Sequence, residues 1–203
     1  MKKSKSATID TRKRIVSAAT RMFLEHGLAE TGIASIMAAA GLTQGGFYRH
    51  FRSKEHLIVE ASIAAHDRLR GVFSAAIEGR PAAEGLDIAV GLYLSQSEQQ
   101  GCEVLCPLAS LGSELGRLDQ QVRDAAMAGY QRLVLFFAGL ADQAGYAEPA
   151  RLADAIVSTM VGAVMLARLA TSPASAAGVL RNARQTIRLM LPAPGADGNA
   201  KMA

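Results

Sequence analysis

The chain has 203 residues, 50% of them hydrophobic, 20% charged and 5% aromatic, with 2 Cys and no Trp. A chain of that size buries about 70% of its unfolded surface without a covalent staple. Its composition excludes disordered, collagen-like and disulfide-scaffold classes. The net charge of +4 is unevenly spread. Residues 1–56 hold ten basic side chains (Lys2, Lys3, Lys5, Arg12, Lys13, Arg14, Arg21, Arg49, Arg52, Lys54) against four acids (Asp10, Glu25, Glu30, Glu55), leaving twelve basic and fourteen acidic residues for the rest. A basic end on a near-neutral remainder suits a polyanion-binding head, although a plain solvated terminus has the same composition.

No apolar run follows the opening MKKSKSATIDTRKR, so no secretory leader is expected. The longest charge-free apolar run, residues 155–167, has 13 residues. A bilayer span needs about 20. A cytoplasmic, reduced protein with no membrane partner is the expectation.

The pattern predicts an all-α chain of about nine helices. In the first, Ile15, Ala19, Met22 and Phe23 share one face, Asp10 or Thr11 is placed to cap the start, and Gly27 ends it. A short second helix follows Thr31, with Ile33, Ile36, Met37 and Ala40 on one side, and stops at Gly41. Thr43 can cap a third, through Gln44, Gly45, Gly46, Phe47, Tyr48, Arg49, His50 and Phe51; Ser53 caps a long fourth. Pro81, Pro107, Pro149 and Pro173 mark later helix starts, with periodic stretches near 82–99, 103–114, 119–145, 149–171 and 174–190. The tail from Pro192 is expected to be disordered.

The second and third helices, joined by Ala40-Gly41-Leu42-Thr43, have the form of a helix-turn-helix, the glycine supplying the left-handed corner. Ile33, Ile36, Met37, Phe47 and Phe51 can bury against the first helix. Thr43 and Gln44 then fall in the first turn of a recognition helix, where side chains reach base edges. Gly45 and Gly46 each cost about 1 kcal/mol against Ala in a helix, which makes sense where backbone must approach DNA. Tyr48, Arg49 and His50 add donors, and Lys54 sits at a helix start suited to phosphate.

The string TGIASIMAAAGLTQGGFYRHFRSKEHL (residues 31–57) resembles the DNA-binding head of the TetR family of bacterial transcriptional regulators. Arg12, Ile15, Ala18-Ala19, Phe23 and Gly27 are similar to that family's first helix. The resemblance implies a homodimeric regulator, most often a repressor, on a palindromic double-stranded operator. Carried over by position, DNA contacts would be Thr43, Gln44, Gly45, Gly46, Tyr48, Arg49, His50 and Lys54, with Thr31 capping the second helix near a phosphate. Gly32 stands where a hydroxyl residue is usual, and Ala34-Ser35 where charge is more common. The basic arm Lys2, Lys3, Lys5 could reach flanking DNA.

It further implies three parts: residues 1–52 as DNA-binding domain, 53–191 as ligand-binding and dimerisation domain, and 192–203 as tail. The segment Cys106-Pro107-Leu108 through Ser113-Glu114-Leu115 resembles one subgroup of the family. A small effector would bind in the second part, and helices 149–171 and 174–190 would pair with their copies. Small residues there (Ala155, Ser158, Gly162, Ala163, Ala167, Ala176, Ala177, Ala183) permit close approach.

Phe73, Tyr93, Cys106, Met127, Tyr130, Phe136 and Met165 are candidates to line an apolar pocket, or simply core; sparse charge in the apolar runs favours a neutral effector. Cys102 and Cys106 would share a face if helical, giving an alternative thiol-sensing regulator. The neighbouring acids Glu98 and Glu103 disfavour a thiolate, and no metal-ligand spacing includes His66.

No cofactor, metal or catalytic site is expected. P-loop, HExxH and GxGxxG patterns are absent, and Gly41-Leu42-Thr43-Gln44-Gly45 lies between helices, unlike a nucleophile elbow. His26, His50, His56 and His66 pair with no carboxylate at a telling spacing. A helical small-molecule carrier without specific DNA binding is the reading from another class.

Overall fold

The computed structural model describes residues 5–95 and 105–191. Lys2, Lys3, Cys102 and the tail from Pro192 lie outside them. Among the described residues the chain forms eight α-helices and one 3-10 helix. They are α1 (Lys5–His26), α2 (Ile33–Ala39), the 3-10 helix η1 (Gln44–Arg49), α3 (Lys54–Ala76), α4 (Ala82–Leu94), α5 (Pro107–Leu115), α6 (Gln120–Gln143), α7 (Pro149–Leu169) and α8 (Pro173–Met190).

Two structural units emerge: Met1–Ser74 with Gln99–Leu133, and Ala75–Glu98 with Val134–Ala203. In the first, Ile15, Ala19 and Phe23 of α1 are buried with Ile36, Met37, Phe47, Phe51 and Leu57, and Met22 and Ile33 pack partly against them. In the second, α7 packs on α8, and both meet α4. Pro107, Pro149 and Pro173 each open a helix, where a missing N–H costs nothing. Ser172 caps α8 by accepting from the Ser175 amide at 3.2 Å.

Three local expectations need correction. α1 starts at Lys5, so Asp10 and Thr11 lie inside it; the Thr11 hydroxyl donates back to Ala7 O at 2.7 Å instead of capping. The third segment is a 3-10 helix, with Gly46 N–H on Thr43 O at 3.0 Å; Thr43 sits at its N-cap without a side-chain bond. Two successive glycines weaken an α-helix, and short 3-10 pieces close with fewer fixed residues.

The third correction concerns α7. Its charge-free run is short, yet the whole helix, with a mean hydropathy of 1.6 over its most apolar window, is long and apolar enough to cross a membrane by length and composition. Part of that apolarity is core: Ala153, Ile156, Val157, Met160, Ala163, Val164 and Ala167 are buried. Ala163, Ala167 and, on α8, Ala183 therefore serve packing within the chain. The exposed stripe of α7 is Met165 (41%), Leu166 (57%) and Leu169 (70%).

Candidate nucleic-acid interface

The α2–η1 corner closes as the glycine requires. Gly41 has φ +67°, its N–H bonds Ala38 O at 2.9 Å, and Leu42 N–H bonds Met37 O at 2.9 Å. This paired arrangement satisfies the last carbonyls of α2 and turns the chain sharply. Arg14 of α1 donates to Ala40 O and braces the same corner.

η1 then has an inner and an outer edge. Phe47 and Phe51 are 0% and 1% exposed, their rings stacked 5.6 Å apart. Thr43, Gln44, Gly45, Tyr48 and Arg49 face outward, Tyr48 at 71% exposure, with Gly46 and His50 half-buried. Tyr48 rests edge-on against Phe47 at 5.2 Å, which steadies its ring while leaving the hydroxyl in solvent. A Cβ added at Gly45 would meet nothing within 4 Å. The intramolecular packing therefore supplies no reason for a glycine there.

Several side chains brace the head around this edge. Arg12 of α1 grips both carboxylate oxygens of Glu60 on α3 through Nε and Nη2, donates from Nη1 to His50 O, and stacks 4.3 Å above the Phe51 ring. His56 lies 3.3 Å from the same Glu60, a carboxylate pairing at i,i+4 that corrects the reading of unpaired histidines. Glu114 of α5 accepts from the Leu28 and Ala29 amides, each at 2.9 Å, and so clamps the α1–α2 loop. Lys54 donates to Leu28 O, leaving further ammonium N–H groups for another acceptor. Ser53 caps α3, accepting from the His56 amide at 3.2 Å.

Thr31 is placed otherwise than expected. It is 1% exposed and its hydroxyl donates to Gly27 O at 2.7 Å, so Gly32 takes the N-cap of α2 without any side-chain bond. Its side chain is a buried staple. Glu114 and the bracing roles of Arg12 and Arg14 were missed as site residues, although Glu114 and Arg12 stood within the quoted motifs.

The pocket candidates divide between the units. In the first, Phe73 and Cys106 are fully buried, Tyr130 is half-buried and Met127 is 53% exposed. In the second, Tyr93 is fully buried, Phe136 half-buried and edge-on to Phe137, and Met165 is exposed. Met127 and Met165 are thus open to solvent. Cys106 is the extended N-cap residue before Pro107, outside the helix that follows, and full burial denies an oxidant access to its thiol. Among the described residues no three metal-ligating side chains gather.

Residues 15–61 match the family model described as bacterial regulatory proteins, tetR family. The chain is 27% identical over 168 residues to the HTH-type transcriptional regulator LmrA of Bacillus subtilis, covering 77% of this chain and 86% of that protein. It is 34% identical over 59 residues to the Escherichia coli K12 protein named "Probable acrEF/envCD operon repressor", 29% of this chain and 27% of that one. A solved TetR transcriptional regulator from Chloroflexus aurantiacus superposes with a TM-score of 0.73 at 28% identity, covering 89% of this chain and 96% of that one. Residues 15–61 thus carry a TetR-family DNA-binding domain, and most of the chain is similar to TetR-family regulators. Its relatives are DNA-binding transcriptional regulators and not enzymes, and the matched residues 15–61 contain α2, η1, the second half of α1 and the start of α3.

Proposed function

We propose that this protein is a TetR-family repressor that binds a palindromic operator as a homodimer and leaves it when a small effector binds. Residues 1–52 read DNA, while residues 53–191 dimerise and receive the effector. The carrying observation is the two-edged η1: Phe47 anchors it in the core while Thr43, Gln44, Gly45, Tyr48 and Arg49 stand outward. Gln44 and Arg49 suit base edges, Gly45 and Gly46 let backbone approach, and Tyr48, His50 and Lys54 supply phosphate contacts.

The exposed apolar stripe of α7 supports pairing of α7 and α8 with a second copy, an isologous two-fold contact. Two heads then meet successive major grooves about 34–36 Å apart. An effector that alters this spacing lowers operator affinity because both heads no longer fit together. Occupying the operator excludes other proteins, hence repression. The working place of such a regulator is the cytoplasm, where its operator is.

The test is a gel shift on a duplex selected from a random pool by the wild-type protein. Tyr48→Ala lowers operator affinity by roughly tenfold or more with unchanged unfolding. Gly45→Ala leaves the fold as stable or slightly more so, by up to about 1 kcal/mol, yet weakens the operator complex. Full affinity in both variants rules out this docking face.

A further inference from the structure

Three buried polar atoms within the first unit meet no partner: Nε2 of His66, and Nε and Nη2 of Arg132. His66 of α3 is 6% exposed, and its Nδ1 lies 2.8 Å from Ser62 O. A carbonyl only accepts, so Nδ1 carries the hydrogen and Nε2 presents a bare lone pair. The ring sits against Gly129 of α6; a Cβ there would come within 2.4 Å of Cε1, so only glycine leaves the imidazole its place. Arg132 lies three residues on from Gly129, on the same face of α6.

Burial holds the His66 imidazole toward its neutral form. The Ser62 bond opposes this, the Arg132 charge reinforces it, and Asp67 on α3 opposes it weakly. Leaving buried charged donors unsatisfied is costly, about 1–3 kcal/mol per polar group and more for a charged one. Nε and Nη2 form the guanidinium edge that grips the two oxygens of a carboxylate. Arg12 uses that same edge on Glu60. On Arg132 the edge is buried without a hydrogen-bond partner.

We infer that Arg132 and His66 form the polar end of the effector site and select a small apolar carboxylate. The carboxylate lies on the Nε/Nη2 edge of Arg132. One proton from solvent adds to His66 Nε2, which turns from acceptor to donor toward the same oxyanion; no bond in the ligand breaks. This departs from the neutral effector suggested by sparse charge, because unpartnered polar atoms on α3 and α6 outweigh their low frequency in sequence. The inference rests on the effector-controlled reading above.

Calorimetric titration of the full chain with benzoate, naphthoate and decanoate, each against its primary amide, tests it. At least one acid binds roughly tenfold tighter than its amide. Its affinity rises from about pH 8 to about pH 6, with about one proton taken up as judged from two buffers of different ionisation heat. Arg132→Met removes the preference for the acid. His66→Phe keeps acid binding but removes the proton uptake; should that variant not fold, Arg132→Met decides alone. Equal binding of acids and amides, no binding by any acid, or an acid preference surviving in Arg132→Met overturns the inference. Gel shifts on the same samples separate the two readings. Amides that release the operator as well as acids leave effector control standing and end the carboxylate site. Acids that bind without release uphold the site and end effector control.

Discussion

The two units bury different chemistry. Thr11, Thr20, Thr31, Ser62 and His66, the buried polar residues among those described, all belong to the unit that carries the head. The described core of the other unit is built from apolar side chains and Tyr93. Polar burial demands specific partners, as when Thr20 on α1 donates to Val16 O at 2.8 Å and lies 3.2 Å from Ala61 O of α3. Such bonds hold helices at one spacing, which a DNA-reading edge needs. An apolar core is satisfied by area, and the second unit carries the same chemistry outward along α7.

That contrast breaks most sharply at Phe47. Phe47→Ala removes a fully buried ring from the first unit and costs about 3–5 kcal/mol. It should abolish operator binding through loss of the folded head, where Tyr48→Ala lowers affinity without unfolding; chemical unfolding beside a gel shift separates the neighbours.

In the second unit, Leu166→Glu places a charge in the exposed stripe. Stability of the isolated chain should change by less than about 0.5 kcal/mol, as for an ordinary surface site. The dimer should weaken by at least roughly tenfold, seen by sedimentation at falling concentration. An unchanged association constant places dimerisation elsewhere.

Glu114→Gln is the finest probe of the comparison. An amide oxygen still accepts from the Leu28 and Ala29 amides, but without charge. About 1 kcal/mol of stability should be lost. Operator affinity should fall with it, and amide hydrogen exchange should quicken first at Leu28 and Ala29. Protection unchanged at those two amides would show that Glu114 does not hold the loop.

Much of the head was legible along the chain. Ile15, Ala19 and Phe23 announce a buried face by spacing, Gly41 announces its corner, and Phe47 beside Tyr48 divides an inner from an outer edge. The start of α1 was misplaced because Asp10 and Thr11 are good caps that here fall inside a helix already under way. The capping of α2 was misjudged at Thr31 because its hydroxyl found a nearer acceptor in Gly27 O. The clamps were illegible for a different reason. Arg12 meets Glu60 across 48 positions, and Glu114 meets Leu28 across 86. Arg12 and Glu114 stand within recognisable motifs, but no local pattern names the distant partner of either.

Sequence alone determined what depends on near neighbours: helical periodicity, the glycine corner, the proline starts and the outward polar edge of η1. Tertiary structure decided which polar groups find partners. Glu114 gains two amides, Thr31 turns inward, and buried atoms of His66 and Arg132 keep donors and an acceptor unspent. Periodicity is a property of consecutive residues, but the satisfaction of a buried hydrogen-bonding group depends on atoms brought together from distant segments.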